Sequence, residues 1–398
     1  MLSLISTYLK GRSTVKAIIN TNIILEKGII FDGVILFEND RILKVCKMVD
    51  IEIPTSTDII DANGLFSSPG LIDIHNHGSE NNFFIDNPEE CCNHFLMHGQ
   101  TTVLPTFYQT YTAQEMILGC EKLKEFSKTS KGKIIKGLYM EAPYMRSGGS
   151  NMALFKWADE IHISKYKELV DNIANYVKVW AIDPARKNII EFMNYVKSVN
   201  SNAIFAFGHS GATSEQCEKV ANLGVKVQTH HGDSGKPPKI NQGRYGAGCD
   251  EYTLCNPDIY AELICDQNGV HLSPYTINSV IRAKGVEKII LISDSYPKTG
   301  DYTNAEEKGV KWGPDLNYDP EGWLAGSHLT LDSACRNVMS YTPYGMCNVV
   351  RMASLNPAKL IGIDKDYGSI EEGKIADIIL VDSAFNVKKV FLEGKQIF

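Results

Sequence analysis

SSPGLIDIHNHG, residues 67–78, is the stretch on which the fold turns. Its short apolar run, Leu71-Ile72-Asp73-Ile74, follows a Pro-Gly breaker and ends on His75-Asn76-His77 before Gly78. A run of that length between breakers reads as a strand rather than a helix. The same grammar recurs downstream in TTVLPT (101–106), IIKGLYM (134–140), YVKVWAI (176–182), AIFAFGH (203–209), GVKVQTH (224–230) and IILISD (289–294). Longer segments separate these runs, and several carry helical periodicity, for instance AQEMILGCEKLKEF (113–126) and SEQCEKVANLG (214–224). Strands alternating with helices imply parallel pairing, because each helix carries the chain back to start the next strand in the same direction. So many repeats over so long a span predict an α/β fold of the closed (β/α)₈, TIM-barrel type rather than an open doubly wound sheet.

Outward from this core the pattern changes. From Val15 to about Phe66 the chain is β-like, with AIINTNIIL (17–25) and GVILFENDRILKVCK (33–47) separated by polar residues or glycine. The tail returns to the same pattern in ADIILVD (376–382) and NVKKVFLEGKQIF (386–398). Two β-rich ends around a barrel predict one small β-sandwich domain built from both termini. The expected division is 1–66 for its N-terminal part, 67–347 for the catalytic barrel and 348–398 for its C-terminal part.

Composition narrows the function. The 398 residues are 43% hydrophobic and 22% charged, as in an ordinary soluble enzyme. A net charge of −7 argues against nucleic acid or an anionic membrane as partner, since both reward a basic face. An anionic small substrate stays compatible, because a few local cations suffice to bind it. The ten cysteines include no CxxC pair, which fits reduced thiols in a reducing cytosol. The start, MLSLISTYLKGRS, has neither a charged leader nor a small-residue cleavage site. No apolar run approaches the ~20 residues of a spanning helix, so a cytoplasmic protein is expected.

The polar residues of interest sit at the carboxyl ends of the expected strands, the face where barrel enzymes carry their sites. His75 and His77, two apart on an extended strand, project to one side. Two neutral imidazoles aimed at one point suit a borderline-soft divalent metal. Glu141, His209, His230 and Asp294 follow four later runs. Singly, a strand-end histidine is more often a hydrogen-bonded structural residue, and such an aspartate a helix cap. Together, in one barrel register, they point to a metal centre. His231 and His271 read as substrate-facing groups or polar lining.

With those residues in place, the sequence resembles the N-acetylglucosamine-6-phosphate deacetylases of the amidohydrolase superfamily. The likeness runs through PGLIDIHNHG, HGQTTVLPT, GLYMEAPYM, GHSGAT, QTHHG, LISDS, LAGSHLTLD and the tail ASLNPAKLIGI…GSIEEGKIADIILVD. The resemblance implies that Glu141, His209 and His230 hold a catalytic metal. It also implies that His75 and His77 can take a second ion, with Glu141 shared. Zinc is the first expectation, with iron or manganese as alternatives. A bound ion lowers the pKa of its water toward ~7, and the resulting hydroxide attacks the acetamide. Asp294 then serves as general base and acid, passing the proton to the amine. The resemblance further implies a small amino-sugar substrate and a homodimer.

Three departures stand out. Glu141-Ala142-Pro143 replaces the family's Glu-Gly-Pro. The histidine that polarises the substrate carbonyl is missing from the shortened RSGGSNMALF (146–155), where Asn151 is the nearest polar candidate. After His230, Gly232-Asp233-Ser234-Gly235 stands in place of the family's Asn-Ala-Met, and an aspartate repels a phosphate. Arg244 in GRYGAG and His271 in CDQNGVHLSP match the family's phosphate-binding arginine and substrate-contacting histidine. His271, Arg244, Asn151 and His231 are therefore the substrate-binding candidates. The alternatives are another N-acyl or cyclic amide substrate, or a barrel that has lost catalysis.

Overall fold

The computed structural model describes residues 15–145, 156–157, 159–233, 246–300, 306–307, 309 and 311–398. The β-branched N-terminal runs form β1 (Lys16–Leu25), β2 (Gly28–Glu38), β3 (Arg41–Lys47), β4 (Asp58–Asp61) and β5 (Phe66–Pro69). The apolar runs that follow become β6 (Leu71–Asn76), β7 (Gln100–Tyr108), β8 (Leu138–Glu141), β9 (Val177–Ile182), β10 (Ile204–Phe207), β11 (Val225–Gln228), β12 (Tyr260–Ile264) and β13 (Ile289–Ile292). These eight lie side by side in chain order, each paired parallel with the next. The last strand closes on the first, where the Asp294 amide donates to the His75 carbonyl at 2.9 Å. Inside the barrel the buried Asp73 carboxylate accepts from Ser293 Oγ at 2.6 Å and Gln100 Nε2 at 2.9 Å, fastening β6 to β13 and β7. The fold is the expected α/β barrel.

The crossover helices cover the barrel with their apolar faces. Phe192, on helix Ile189–Val199, meets Tyr144 at 5.1 Å, Tyr166 at 5.2 Å and Trp180 at 5.8 Å, ring centre to ring centre. Burying each such side chain stabilises the fold by about 1.5–3 kcal/mol. Helix starts are capped by local sequence. Thr112 and Glu115 hydrogen-bond each other's backbone amides, and Thr213 and Gln216 do the same.

A short hairpin, β14 (Leu316–Tyr318) and β15 (Leu324–Ser327), follows the barrel. The chain then forms β16 (Ile378–Val381), β17 (Val387–Leu392) and β18 (Lys395–Gln396), which join the N-terminal strands in one sheet of order β18-β17-β16-β5-β1-β2-β3, with β4 on β1. Its halves fold over a shared core. Ile18, Ile35 and Phe37 pack with Ile378, Leu380 and Phe391, and the Phe37 and Phe391 rings are 6.2 Å apart. Both chain ends thus build the small domain, as their composition predicts. None of the described helices is long and apolar enough to cross a membrane.

Candidate metal centre

The barrel's register brings the strand-end residues together. His75 lies within β6, His77 just beyond it, and Glu141 ends β8. His209, His230 and Asp294 each follow their strand by two residues, after β10, β11 and β13. Glu141 sits at the middle. Its Oε1 lies 3.2 Å from His209 Nε2 and 3.0 Å from His230 Nε2, while Oε2 lies 3.4 Å from His77 Nε2 and 3.6 Å from His75 Nε2. Asp294 Oδ1 stands 3.3 Å from His77 Nε2 and 3.6 Å from His75 Nε2. Donor atoms of two buried triads, His75–His77–Asp294 and His75–Glu141–His230, lie within 4.8 Å of one another.

The backbone is bent to achieve this. His230 has φ of 26° and Asp294 of 47°, a left-handed region where side chains other than glycine are uncommon. The Asp294 amide is used in barrel closure, and its carbonyl accepts from the Ser327 amide at 2.8 Å. That approach requires Gly326, at φ of 60°, since a Cβ there would lie 2.7 Å from the Asp294 carbonyl oxygen. The glycine of LAGS thus serves to aim Asp294.

Electrostatics favour a cation at the centre. Burial opposes ionisation of Glu141, but the His75 charge and hydrogen bonds from His209 and His230 hold its carboxyl well below the glutamate range. Burial likewise opposes charge on His75, yet Glu141, Glu262 and Asp294 hold its imidazolium well above the usual histidine value. Burial opposes charge on His77 and His230 too, but Glu141 and Asp294 raise both. Buried carboxylates of this kind must be paired or bind metal. His75 Nε2 is buried without a hydrogen-bond partner, close to two carboxylates that it does not bond. That orphaned nitrogen and the mixed imidazole–carboxylate donor set fit a divalent ion.

Other groups form the surroundings. Tyr139 stacks on His75 at 4.5 Å, and Tyr296 and Tyr108 flank His77 at 5.0 and 5.9 Å. His271 is buried, with Nδ1 3.3 Å from Asp266 Oδ2 and Nε2 3.2 Å from the Gly326 carbonyl, which places it beside the Asp294 loop. Burial disfavours its charge, but Asp266, Asp233 and Asp294 together hold its pKa up to about 9. His231 lies apart from the cluster. Its Nδ1 is 2.8 Å from Gln228 Oε1 and 3.7 Å from Asp250 Oδ1, and burial lowers its pKa. Asn151 and Arg244 lie outside the described residues.

Sequence reasoning missed Glu262 and Asp266. Glu262 is fully buried in β12 and reaches His75 Nδ1 at 3.2 Å. The signal was available: a carboxylate in the interior of the apolar run YAELI has no solvent to face. Asp266 precedes the turn to His271, and its carboxylate accepts the Val270 and His271 amides at 2.9 Å.

A closed parallel barrel with buried imidazoles and carboxylates at its carboxyl mouth defines a barrel enzyme of the divalent-metal class. Residues 66–397 match the Amidohydrolase family, and the chain belongs to that family, as a carbon–nitrogen hydrolase. Among its relatives, the N-acetylgalactosamine-6-phosphate deacetylase of Escherichia coli O157:H7 is 27% identical over 356 residues, covering 86% of this chain and 90% of that one. The N-acetylglucosamine-6-phosphate deacetylase of Vibrio furnissii is also 27% identical, over 341 residues, covering 83% and 82%. The crystal structure of N-acetylglucosamine-6-phosphate deacetylase from Pasteurella multocida superposes with a TM-score of 0.82 at 23% identity, over 96% of this chain and 99% of that one.

Proposed function

We propose that this protein deacetylates an N-acetylated amino sugar, with N-acetylglucosamine 6-phosphate or a close analogue as the foremost candidate. The observation that carries the reading is the buried Glu141 carboxylate, whose two oxygens face two separate pairs of imidazoles, with Asp294 against the same His77. His75, His77, Glu141, His209 and His230 would hold one or two divalent ions, zinc foremost, with iron or manganese as alternatives. A cation there supplies Lewis acidity, lowering the pKa of water toward about 7 and taking up charge on the amide carbonyl oxygen.

The chain's own groups do the rest. Asp294, kept ionised by its histidine neighbours against the burial penalty, accepts the water's proton and returns it to the departing amine. Protonation of the nitrogen is what makes it a competent leaving group. His271, a cation up to about pH 9, provides in the substrate pocket positive charge that Asn151 cannot supply. Arg244 would take the 6-phosphate and Asn151 the acetamide, while His231 would line the sugar side. Residues 67–347 would be the catalytic unit and 1–66 with 348–398 the small domain. A cytoplasmic setting fits ten free cysteines, and a homodimer is what the family resemblance implies.

A second reading is favoured by Asp233, whose charge acts on His271 where the family carries uncharged residues. It is hydrolysis of another N-acyl or cyclic amide lacking the phosphate. Amine release from both epimeric N-acetylhexosamine 6-phosphates, their unphosphorylated forms and simple N-acyl amines separates the two readings. Preference for a phosphosugar supports the first. Turnover only of non-phosphorylated amides by metal-loaded protein would replace it with the second.

A further inference from the structure

We infer that Glu262 is a positioning residue of the metal centre, one that sets His75 and His230 so that their nitrogens face a divalent cation. The inference rests on the metal reading above. Glu262 lies on β12, which carries none of the proposed ligands, and its neighbours Ala261, Leu263 and Ile264 are fully buried. Its Oε2 lies 3.2 Å from His75 Nδ1 and accepts the His230 main-chain amide at 3.4 Å. One oxygen therefore ties β6 to β11, and so the His75–His77 half of the centre to the His230 half.

The consequence for His75 is chemical. A carboxylate at Nδ1 can only accept, so Nδ1 must carry a proton, which leaves Nε2 as the nitrogen able to present a lone pair to a cation. Nε2 is the atom that is buried without a partner, 3.6 Å from both Glu141 Oε2 and Asp294 Oδ1. Tyr139, stacked on the ring at 4.5 Å, prevents it from swinging away, and the Tyr139 hydroxyl lies against both Thr229 and Glu262. His230 needs help of a different kind. Its φ of 26° is unfavourable, and the hydrogen bond to Glu262 holds its amide in that conformation. A carboxylate in an apolar strand is a poor stabiliser, since filling such a site with a hydrophobic side chain is often neutral or stabilising. A purely structural role would therefore be better served by leucine.

Metal affinity, ligand geometry, thermal stability and the protonation of His75 test this. Chelator competition on wild type and Glu262→Gln gives the metal affinity, and the visible spectrum of cobalt-loaded protein reports the ligand geometry. Glu262→Gln should fold with an unchanged circular dichroism spectrum, bind metal about 10–100-fold more weakly and alter the cobalt bands. Glu262→Leu should melt, metal-free, no lower than metal-free wild type, yet lose metal. Histidine-labelled ¹⁵N NMR of zinc-loaded wild type should show His75 protonated at Nδ1, which keeps the inference testable if either variant fails to fold. Unchanged affinity and cobalt bands in Glu262→Gln, or a His75 protonated at Nε2, would overturn the inference and leave the metal reading standing. Wild type that takes up no divalent ion would overturn the metal reading itself, and this inference with it.

Discussion

Replacing Asp266 with asparagine should remove the charge from His271. The His271 side chain is 1% exposed, and its Nδ1 lies 3.3 Å from Asp266 Oδ2. Burial pushes the imidazolium down, but the Asp266 hydrogen bond and the charges of Asp233, Asp266 and Asp294 hold it up to about 9. Against an ordinary histidine value of about 6.5, that rise corresponds to about 3 kcal/mol of stability. The folded value exceeds the unfolded one, so the contribution is complete below about pH 6.5 and is lost as pH climbs through about 9. With its one oxygen at the Oδ2 position, Asp266→Asn still accepts the His271 amide at 2.9 Å and the Val270 amide at 3.0 Å while removing the charge that gives the largest favourable contribution. His271 should then titrate near the ordinary value, and most of the ~3 kcal/mol should vanish. Metal-free protein isolates the effect. The Cε1 proton of His271 would be followed by NMR from about pH 5 to about pH 10, with urea unfolding at both ends of that range. A wild-type His271 that titrates at or below about 6.5, or a variant with an unchanged pH dependence of stability, would refute the reasoning.

Three other predictions concern turnover and metal. Asp294→Asn should keep fold and metal content while turnover falls about 10²–10⁴-fold, and undiminished turnover would remove Asp294 as proton carrier. Glu141→Gln should empty the centre as a whole, because both carboxylate oxygens face imidazoles, and metal analysis showing full occupancy would contradict that sharing. Arg244→Ala should weaken turnover of a phosphorylated sugar more than of its plain counterpart. Equal losses would take Arg244 out of phosphate binding.

The parts of this protein that were legible in its sequence are those governed by local period. Apolar runs ending in polar residues mark β6 to β11 and β13, because a buried parallel strand must be apolar and its carboxyl end opens on the barrel mouth, whereas β12, interrupted by Glu262, does not read as such a run. The two-residue spacing of His75 and His77 and the strand-end places of Glu141, His209, His230 and Asp294 follow from the same rule. What local pattern could not convey is direction across the barrel. His231 adjoins His230 in sequence, yet it meets Gln228 and Asp250 instead of the cluster. Glu262 stands out in sequence as a carboxylate inside an apolar run, but its partner, His75, is 187 residues away and no local pattern names it. The left-handed turns at His230 and Asp294 carry no glycine to announce them, and only Gly326, opposite Asp294, records that constraint in the sequence.

The most direct test of the account is the release of acetate and amine from N-acetylglucosamine 6-phosphate and its galactosamine epimer by metal-free protein titrated with zinc, iron or manganese. Equal amounts of acetate and amine should come from at least one of them, absent without metal and rising to a plateau at one or two ions per chain. Turnover independent of added metal and insensitive to chelator, or none by fully loaded protein on any N-acylated amine, would contradict it.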